Sequence, residues 1–231
     1  MTSMAHSDVL IIGAGISGIS SAFHLQKHAP QASFEILERG DSIGGTWNLF
    51  KYPGIRSDSD MYTLGFSFRP WRDAKAIADA PSIMNYLHDA VRDGKLDKKI
   101  HFGKKVVEAK WSSADGKWFV TIEDGATGET ETRSCKFLHS CAGYYNYDKG
   151  YQPDFPGVEN FKGPFVHPQF WPEDLDYSGK KVVVIGSGAT AVTLVPAMAE
   201  TAEHVTMLQR SPTYIVSRPS EDAFANFTRK Y

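Results

Sequence analysis

The sequence predicts an α/β fold that contains one unit twice, each copy built from a strand, a glycine-rich turn, a helix and a second strand. The first copy begins near residue 8 and the second near residue 180. Three strand-like segments separated by turn sequences lie between the copies and predict an antiparallel β-meander. The recurrence of the unit about 170 residues later indicates that one function is duplicated within the chain.

Composition and charge limit the class of protein. Of the 231 residues, 42% are hydrophobic, which is enough for a buried core. The formal net charge is -2 and the sequence has no block of basic residues, so nucleic acid is not an expected partner. No signal peptide or apolar run of bilayer-crossing length is evident. We therefore expect a cytoplasmic protein without a transmembrane segment, and peripheral membrane association stays open.

The first unit starts with the apolar run Asp8–Ile12, which predicts a strand buried on both faces, as in a parallel sheet. The helical pattern after the glycine turn ends before Pro30, which cannot continue a helix. The segment SFEILER, residues 33–39, predicts the next parallel strand. Residues 81–94 predict a further helix, because their apolar residues share one face and Gly94 ends the pattern.

The meander is predicted from residues 100–111, 117–123 and 132–143, which the turn sequences SADG and DGATG separate. Residues 144–177 are rich in proline, glycine and aromatic residues and are expected to form an ordered connector. The second unit then follows, from the strand KKVVVI to the strand HVTMLQRS.

The first glycine turn matches the pattern G-x-G-x-x-G through Gly13, Gly15 and Gly18. The first glycine allows a sharp turn, the second lets the backbone approach a pyrophosphate, and the third lets the helix pack closely on the strand. Glu38 ends the next strand, where a carboxylate accepts hydrogen bonds from ribose hydroxyls. This pattern predicts FAD or NAD. The alternative is a turn that only packs, with Glu38 a solvated surface acid.

The second glycine turn reads G-x-G-x-x-A through Gly186, Gly188 and Ala191. Its second strand ends at Arg210, where the first unit has an acid. An arginine at this place suits the 2′-phosphate of NADP, which an acid would repel. The alternative is an arginine that only extends over the surface.

Together the two turns predict two dinucleotide-binding (Rossmann-like) domains in a flavoprotein that takes hydride from NADPH. We assign residues 1–145 to the FAD-binding domain with its meander insertion, 146–178 to a connector, and 179–231 to the start of an NADP-binding domain, which is incomplete. Disulfide reductases also carry two such turns, but they need a redox cysteine pair after the first unit. This sequence has GGTW there, at residues 44–47, which disfavours that class.

The two cysteines, Cys135 and Cys141, have the spacing of neither a CxxC pair nor a zinc knuckle. We expect both to be small buried hydrophobic residues. No metal site is predicted.

Two longer patterns resemble those of one enzyme family. Residues 161–172 match F-x-G-x-x-x-H-x-x-x-W-P, and residues 45–58 match G-x-W-x-x-x-x-Y-P-G-x-x-x-D. The 45–58 pattern comes first in the chain, and both patterns lie between the two glycine turns; in this arrangement they resemble the type I Baeyer–Villiger monooxygenases, in particular mycobacterial members. Flavin-containing N- and S-oxygenases carry a looser version of the 161–172 pattern, which lacks the final proline. The matching residues are Phe161, Gly163, His167, Trp171 and Pro172, then Gly45, Trp47, Tyr52, Pro53, Gly54 and Asp58.

The resemblance covers about residues 8–218 and implies an enzyme that uses FAD, NADPH and O2. Through a C4a-peroxyflavin, such enzymes convert a ketone to an ester or oxygenate the sulfur of a sulfide or thioamide. The resemblance also implies that Asp58 orients an arginine that this sequence does not contain. The alternative is a turn acid that caps a local N–H group. We expect His167 to serve as a hinge in the connector.

The resemblance and the glycine turns together give the expected cofactor contacts. Those for FAD are Gly13, Gly15, Ile16, Ser17, Gly18, Glu38, Arg39, Gly45, Thr46, Trp47, Asp58 and Val106. Those for NADP are Arg56, Ser57, Asp58, Gly186, Ser187, Gly188, Ala189, Thr190, Ala191, Arg210 and Ser211.

Members of this family are longer, and the sequence resembles their N-terminal half. A two-stranded NADP sheet has unpaired edges and uncovered apolar faces, so we expect the chain alone to be unstable or prone to aggregation. We also expect it to be inactive as a monooxygenase. Three functions stay open: a Baeyer–Villiger monooxygenase, an N- or S-oxygenating flavin monooxygenase, and a non-catalytic FAD-binding fragment that works with a complementing C-terminal chain.

Overall fold

A computed structural model describes residues 4–228, so the outermost residues of the expected ranges 1–145 and 179–231 lie outside the described part of the chain. The fold is α/β, as expected, and it divides into two compact units. One unit comprises the described residues up to Asn48 together with Met84–Tyr144, and the other comprises Leu49–Ile83 together with the described residues from Tyr145 onward.

The secondary structure follows the expected order of elements. The strands are β1 His6–Ile12, β2 Phe34–Leu37, β3 Ile100–His101, β4 Lys104–Ser112, β5 Lys117–Asp124, β6 Thr130–Ser140, β7 Lys181–Ile185 and β8 His204–Leu208. The α-helices are α1 Ile16–His28, α2 Thr46–Leu49, α3 Met61–Leu64, α4 Ala80–Asp93, α5 Ala189–Ala199 and α6 Ala223–Thr228. Within residues 4–228, no helix combines the length and the apolar character that crossing a membrane requires.

The first unit contains a six-stranded mixed sheet in the order β3-β2-β1-β6-β5-β4. Strand β1 lies in its centre and pairs in parallel with both β2 and β6, while β4, β5 and β6 form the expected antiparallel meander. Strand β6 therefore belongs to the parallel sheet and to the meander at once. This shared strand fixes the meander to the glycine-turn unit.

The expectation of one continuous strand over residues 100–111 is wrong. The segment forms two strands, because Gly103 adopts a left-handed conformation with φ 64° and interrupts the extended backbone between them. Its N–H group donates to the carbonyl oxygen of Gly40 at 3.0 Å. As a result, β3 extends the parallel sheet beside β2, whereas β4 pairs with β5.

The core of the first unit forms where the sheet and α1 bury apolar residues. A central cluster includes Leu10 of β1, Leu37 of β2 and Val120 of β5, all 1% exposed or less. Cys135 belongs to this cluster, as expected, and burial raises the pKa of its thiol. Cys141 is only half-buried.

Helix α4 begins one residue before the expected start, at Ala80. The preceding residue, Asp79, caps the helix, because its Oδ1 accepts a hydrogen bond from the backbone N–H of Ser82 at 2.9 Å. The hydrogen bonds from Ser82 hold the pKa of Asp79 below its ordinary value.

The second unit contains a two-stranded parallel sheet of β7 and β8 with α5 packed against one face. Its core combines Leu194 and Met198 of α5 with Phe50 and Tyr52 from the Leu49–Ile83 segment. Residues 144–177, expected as a connector, contain two short 3-10 turns, and Trp171 packs against this core.

The face of the β7–β8 sheet opposite α5 is apolar and exposed. Val183 and Ile185 of β7 and Leu208 of β8 are 61%, 51% and 56% exposed. Ile185 pairs with Leu208 across the sheet, so these side chains form a continuous patch. The expectation of an uncovered apolar face on this sheet is therefore confirmed.

Candidate cofactor sites

Two of the three glycines in the first turn are required by the fold itself. Gly13 has φ 98°, and a Cβ atom there would lie 2.6 Å from the carbonyl oxygen of Cys141. A Cβ atom at Gly18 would overlap the carbonyl oxygen of Gly13. The expected sharp turn and close packing of helix on strand therefore both have a steric cause in the structure.

Gly15 has no such cause. Its φ of -77° suits any residue, and a Cβ atom would meet Gly45 only at an ordinary contact distance of 3.6 Å. Gly15 also precedes α1, whose first turn has no side-chain cap and no acidic residue. The N–H groups of Ile16, Ser17 and Gly18 therefore have no partner from the helix itself. A bare turn at a helix N-terminus fits a pyrophosphate, because the backbone is open to a close-lying anion.

Glu38 is a buried carboxylate, only 5% exposed. Its Oε2 accepts from the N–H of Ala14 and its Oε1 from the N–H of Gly40, both at 2.8 Å. The alternative of a solvated surface acid is therefore excluded. Each oxygen keeps a second lone pair, so the carboxylate can still accept hydrogen bonds from two ribose hydroxyls. Arg39 follows it directly at the end of β2.

The segment at residues 44–47 lies beside the first turn. Gly44 donates its N–H to the carbonyl oxygen of Ala14 at 3.0 Å. Gly44 has φ 117°, a conformation that favours glycine, and a Cβ atom there would also displace the side chain of Met84. Thr46 and Trp47 begin the short helix α2. The first unit thus brings together Gly15, Glu38, Gly45, Thr46 and Trp47 around one turn, whereas Val106 lies on β4 and packs against the central cluster.

The Tyr52-Pro53-Gly54 segment belongs to the core of the second unit. Gly54 has φ 80°, and a Cβ atom there would lie 2.5 Å from the carbonyl oxygen of Thr193 in α5. The glycine is therefore required for the close approach of this segment to α5. In the sequence Gly54 stands out only as a member of the 45–58 pattern, because a contact with a helix about 140 residues later leaves no local signal.

The residues that follow Gly54 form a small polar segment of the second unit. The N–H of buried Ser57 donates to the carbonyl oxygen of Ala78 at 2.9 Å. The Ser57 hydroxyl donates to the carbonyl oxygen of Ser59 at 2.8 Å. Asp58 is half-exposed, and its Oδ1 lies 3.8 Å from Nε of Arg56. Asp58 thus faces an arginine within its own segment, two residues away.

The second glycine turn repeats the geometry of the first. Gly186 has φ 126°, a conformation that favours glycine. Gly188 has φ -77°, and a Cβ atom there would meet nothing within 4 Å. It precedes α5, whose first turn, beginning with Ala189 and Thr190, also has no side-chain cap and no acidic residue. Ala191 is buried where the first turn has Gly18.

A chain of hydroxyl groups joins this turn to the loop after β8. The hydroxyl of Thr213 donates to Oγ of Ser187 at 2.9 Å, and the Ser187 hydroxyl donates to the carbonyl oxygen of Ser211 at 3.1 Å. Exposed Arg210 lies in the same loop. Sequence reasoning missed Thr213, and only its place three residues after the arginine could have indicated it.

The residues of the 161–172 pattern have local packing roles. The ring of Phe161 lies over Gly163, where a Cβ atom would come within 2.9 Å of it. Nδ1 of His167 accepts from the N–H of Gln169 at 3.2 Å and so caps a 3-10 turn. Trp171 packs edge-on against Tyr177 at 6.3 Å between ring centres. Pro172 accepts a hydrogen bond from the N–H of Leu175 through its carbonyl oxygen. The hinge role of His167 stays a prediction.

Curated proteins with high sequence identity carry FAD in their names. The chain is 60% identical over 227 residues to the FAD-containing monooxygenase EthA of Mycolicibacterium smegmatis, a match that covers 98% of this chain and 46% of that protein. It is 58% identical over 221 residues to EthA of Mycobacterium tuberculosis, covering 95% of this chain and 45% of the relative. The chain therefore spans about half the length of the curated relatives it matches.

Solved structures of Baeyer–Villiger type enzymes share the fold. An oxidised steroid monooxygenase bound to NADP superposes with a TM-score of 0.81 at 29% identity, over 98% of this chain and 43% of that one. Cyclohexanone monooxygenase from Rhodococcus sp. Phi1, bound to NADP+, gives 0.77 at 31% identity, over 93% and 40%. The OTEMO complex with FAD and NADP gives 0.75 at 31% identity, over 91% and 40%. The expected fold class is thus confirmed.

The match to a family model covers nearly the whole chain. The model, described as FMO-like: Flavin-binding monooxygenase-like, matches residues 6–227. Both glycine turns, the 45–58 pattern and the 161–172 pattern fall inside this range. The chain belongs to the flavin-binding monooxygenase-like family.

Proposed function

We propose that this chain provides the FAD site and the NADP turn of a Baeyer–Villiger type monooxygenase. One observation carries the proposal: each unit has a turn with one glycine, Gly15 or Gly188, that the fold does not require. A glycine without a steric cause in the protein fits a backbone position reserved for a ligand phosphate. The loops that follow β2 and β8 carry opposite charges, at Glu38 and Arg210, which suits two different dinucleotides.

The first turn would hold FAD. The N–H groups at the start of α1 would bind the pyrophosphate, and Glu38 would accept the ribose hydroxyls. The carboxylate is already fixed by Ala14 and Gly40, so it reaches the ribose without further ordering. When bound, FAD would supply the redox chemistry, taking hydride from NADPH and delivering one oxygen atom of O2 to the substrate.

The second turn would hold the pyrophosphate of NADP, and Arg210 and Ser211 would bind its 2′-phosphate. The hydroxyl chain from Thr213 through Ser187 would set the position of this loop against the turn. Arg56 and Ser57 would contact NADP, and Asp58 would orient and balance the charge of an arginine that this sequence does not contain. His167 would act as a hinge.

The proposed substrates are small molecules with a ketone, sulfide or thioamide group, together with O2. The solved neighbours named for cyclohexanone and steroid oxygenation support a ketone. Pro172 and Asp58 favour the Baeyer–Villiger reaction over N- or S-oxygenation alone. Product analysis with a paired cyclic ketone and aryl sulfide, on the chain together with a complementing C-terminal polypeptide, tests this choice, since sulfoxide without ester would favour the flavin-containing N- and S-oxygenases.

We further propose that a complementing polypeptide is needed for turnover. The exposed patch of Val183, Ile185 and Leu208 supports it, because such a patch is usually covered in a working α/β sheet. On this proposal the chain alone is a FAD-binding module without catalysis of its own. The test is NADPH oxidation dependent on ketone, measured with the 231-residue chain alone and after addition of the part of M. smegmatis EthA that the chain does not match. Ester formation by the chain alone would contradict the proposal.

We propose residues 1–145 as the FAD-binding domain, 146–178 as a connector and 179–231 as the start of the NADP-binding domain. Limited proteolysis with and without FAD tests these bounds, because FAD should protect only the first range. A cytoplasmic location is also proposed, and the presence of two unpaired thiols supports it.

A further inference from the structure

The open end of the β4–β5 hairpin contacts the segment that carries Glu38. The residues of this hairpin end are Gly103, Lys104, Asp124 and Gly125. The N–H of Gly103 donates to the carbonyl oxygen of Gly40 at 3.0 Å, and the N–H of Lys104 donates to the carbonyl oxygen of Glu38 at 2.8 Å. The hairpin end therefore holds the backbone on both sides of residue 39 in place.

Gly40 links the hairpin end to the Glu38 carboxylate. The N–H of Gly40 donates to Oε1 of Glu38 at 2.8 Å, while the carbonyl oxygen of Gly40 accepts from Gly103. A shift of Gly103 would therefore move Gly40 and turn the carboxylate. Glu38 is only 5% exposed, so backbone donors rather than water determine its orientation. The lone pairs that remain for a ribose point in a direction that the hairpin end sets.

One ion pair joins the two strands at the hairpin end. Nζ of Lys104 donates to Oδ2 of Asp124 at 2.6 Å, and the two side chains are half-buried, at 23% and 31% exposed. Oδ1 of Asp124 accepts from the N–H groups of Ala126 and Thr127 at 2.9 and 3.1 Å. The bond from Lys104 and the two backbone bonds lower the pKa of Asp124 to about 2, so its carboxylate is charged at neutral pH. The pair is thus anchored on one side to the Glu38 carbonyl and on the other to the turn after β5.

We propose that Lys104 and Asp124 are positioning residues for the adenosine ribose of FAD, an inference that rests on the proposed FAD site. The ion pair keeps the hairpin end together, the hairpin end holds Gly40, and Gly40 orients the Glu38 carboxylate that accepts the ribose hydroxyls. An acceptor that is already oriented loses less entropy when the ligand binds. The pair therefore raises the selectivity for a ribose with both hydroxyl groups, and it acts through the backbone rather than through a contact of its own.

Selectivity between ADP and 2′-deoxy-ADP reports the orientation of Glu38. Each nucleotide is titrated into the 231-residue chain loaded with FAD, and release of FAD is followed by its fluorescence, so that only the site occupied by FAD is observed. The parent chain should prefer ADP about tenfold, because the deoxy compound lacks a hydroxyl that donates to a charged acceptor. A loss of stability weakens the binding of both nucleotides alike, so the ratio of their affinities separates positioning from folding.

Lys104→Met and Asp124→Asn each remove the charge of one partner with little change in size. Asparagine also keeps an oxygen that can accept from the turn after β5, so the hairpin should stay folded, which circular dichroism checks. Each variant should lower the preference for ADP to about threefold or less and weaken FAD binding about two- to tenfold, because the carboxylate is then less well oriented. The double variant should lose no more than either single variant, since one substitution already breaks the pair.

The ion pair of Lys136 and Asp8 in the same unit is the matched control. Nζ of Lys136 donates to Oδ1 of Asp8 at 2.8 Å, and Asp8 also accepts two bonds from Ser33, so this pair resembles the pair of the hairpin end. Asp8 lies five residues before Gly13, which is about 16 Å along β1 from the glycine turn. Lys136→Met should therefore leave the preference for ADP unchanged.

The outcomes separate this inference from the proposed FAD site. A parent chain that binds no FAD, or a Glu38→Ala variant that keeps the preference for ADP, would overturn the FAD site and this inference with it. If Glu38→Ala loses the preference but Lys104→Met and Asp124→Asn keep the ratio of the parent chain, the inference alone is overturned. An equal fall of the ratio in Lys136→Met would also overturn it, because any broken ion pair would then have the same effect.

Discussion

Replacing Gly15 and Gly18 by alanine in separate variants tests whether the first turn was shaped by a ligand or only by packing. A methyl group at residue 15 meets its nearest neighbour at 3.6 Å and the backbone there has φ -77°, so the folded chain can accept it. A methyl group at residue 18 overlaps the carbonyl oxygen of Gly13, so β1 and α1 must move apart. The two substitutions add the same atoms but differ in what they disturb.

The expected magnitudes follow from these contacts. In Gly15→Ala the methyl group would keep the pyrophosphate away from the N–H groups of α1. Loss of one charge-assisted hydrogen bond, worth about 1.5–3 kcal/mol, would weaken FAD binding about 10- to 150-fold. Gly18→Ala overpacks the helix–strand contact and should lower the free energy of unfolding by about 1–3 kcal/mol. For a chain of this size, that lowers the melting temperature by roughly 2–12 °C.

The assay combines thermal unfolding without cofactor and a fluorescence titration with FAD. Gly15→Ala should melt within about 2 °C of the parent chain and bind FAD weakly, whereas Gly18→Ala should melt earlier. Thr206→Val on the exposed face of β8 is the control and should change neither quantity. Parent-like FAD affinity in Gly15→Ala would refute the reasoning, because the glycine would then have no role in either folding or binding.

Three further predictions use other contacts. Glu38→Gln should lower the free energy of unfolding by about 1–3 kcal/mol in a urea titration, since the new amide N–H₂ group faces a backbone N–H and leaves both unsatisfied; unchanged stability would contradict this. Thr213→Val should weaken binding of 2′,5′-ADP about 2- to 10-fold by calorimetry while Thr213→Ser stays close to the parent chain, and equal losses in both variants would argue against the hydroxyl chain. Asp79→Ala should cost about 1 kcal/mol at pH 7, because the helix cap is lost. The pKa of Asp79 is lowered in the folded chain, so its contribution to stability is present above about pH 4 and disappears as the pH falls through the lowered pKa. The urea midpoints of the parent chain and of Asp79→Ala should therefore converge at low pH. A difference between the two midpoints that does not change with pH would contradict the assignment.

The local patterns of the sequence predicted most of the first unit. Alternating and continuous apolar runs identified β1, β2 and the meander strands, because burial on a sheet imposes these periods. The glycine pattern identified the turn, because positive φ at Gly13 and close packing at Gly18 exclude other residues. Gly103 escaped notice, since a single glycine inside a strand-like run does not show whether the strand breaks or bends.

Long-range packing accounts for what the sequence did not predict. Gly54 contacts Thr193, and Tyr52 shares a core with Met198, although about 140 residues separate the members of each pair. Such contacts depend on how the chain returns on itself, which periodicity does not encode. The cap formed by Asp79 was missed for a different reason. A proline is favoured in the first turn of a helix, so Pro81 marked a helix start one residue after the observed start at Ala80.

The central claim is that one chain has two separate turns for two different dinucleotides, and calorimetry with FAD and then NADP+ tests it most directly. The parent chain should bind one FAD and one NADP+, Gly15→Ala should lose FAD affinity alone, and Gly188→Ala should lose NADP+ affinity alone, because a methyl group at residue 188 meets nothing within the protein. Binding of both cofactors that depends on the same glycine, or NADP+ binding that Gly188→Ala leaves unchanged, would contradict the account.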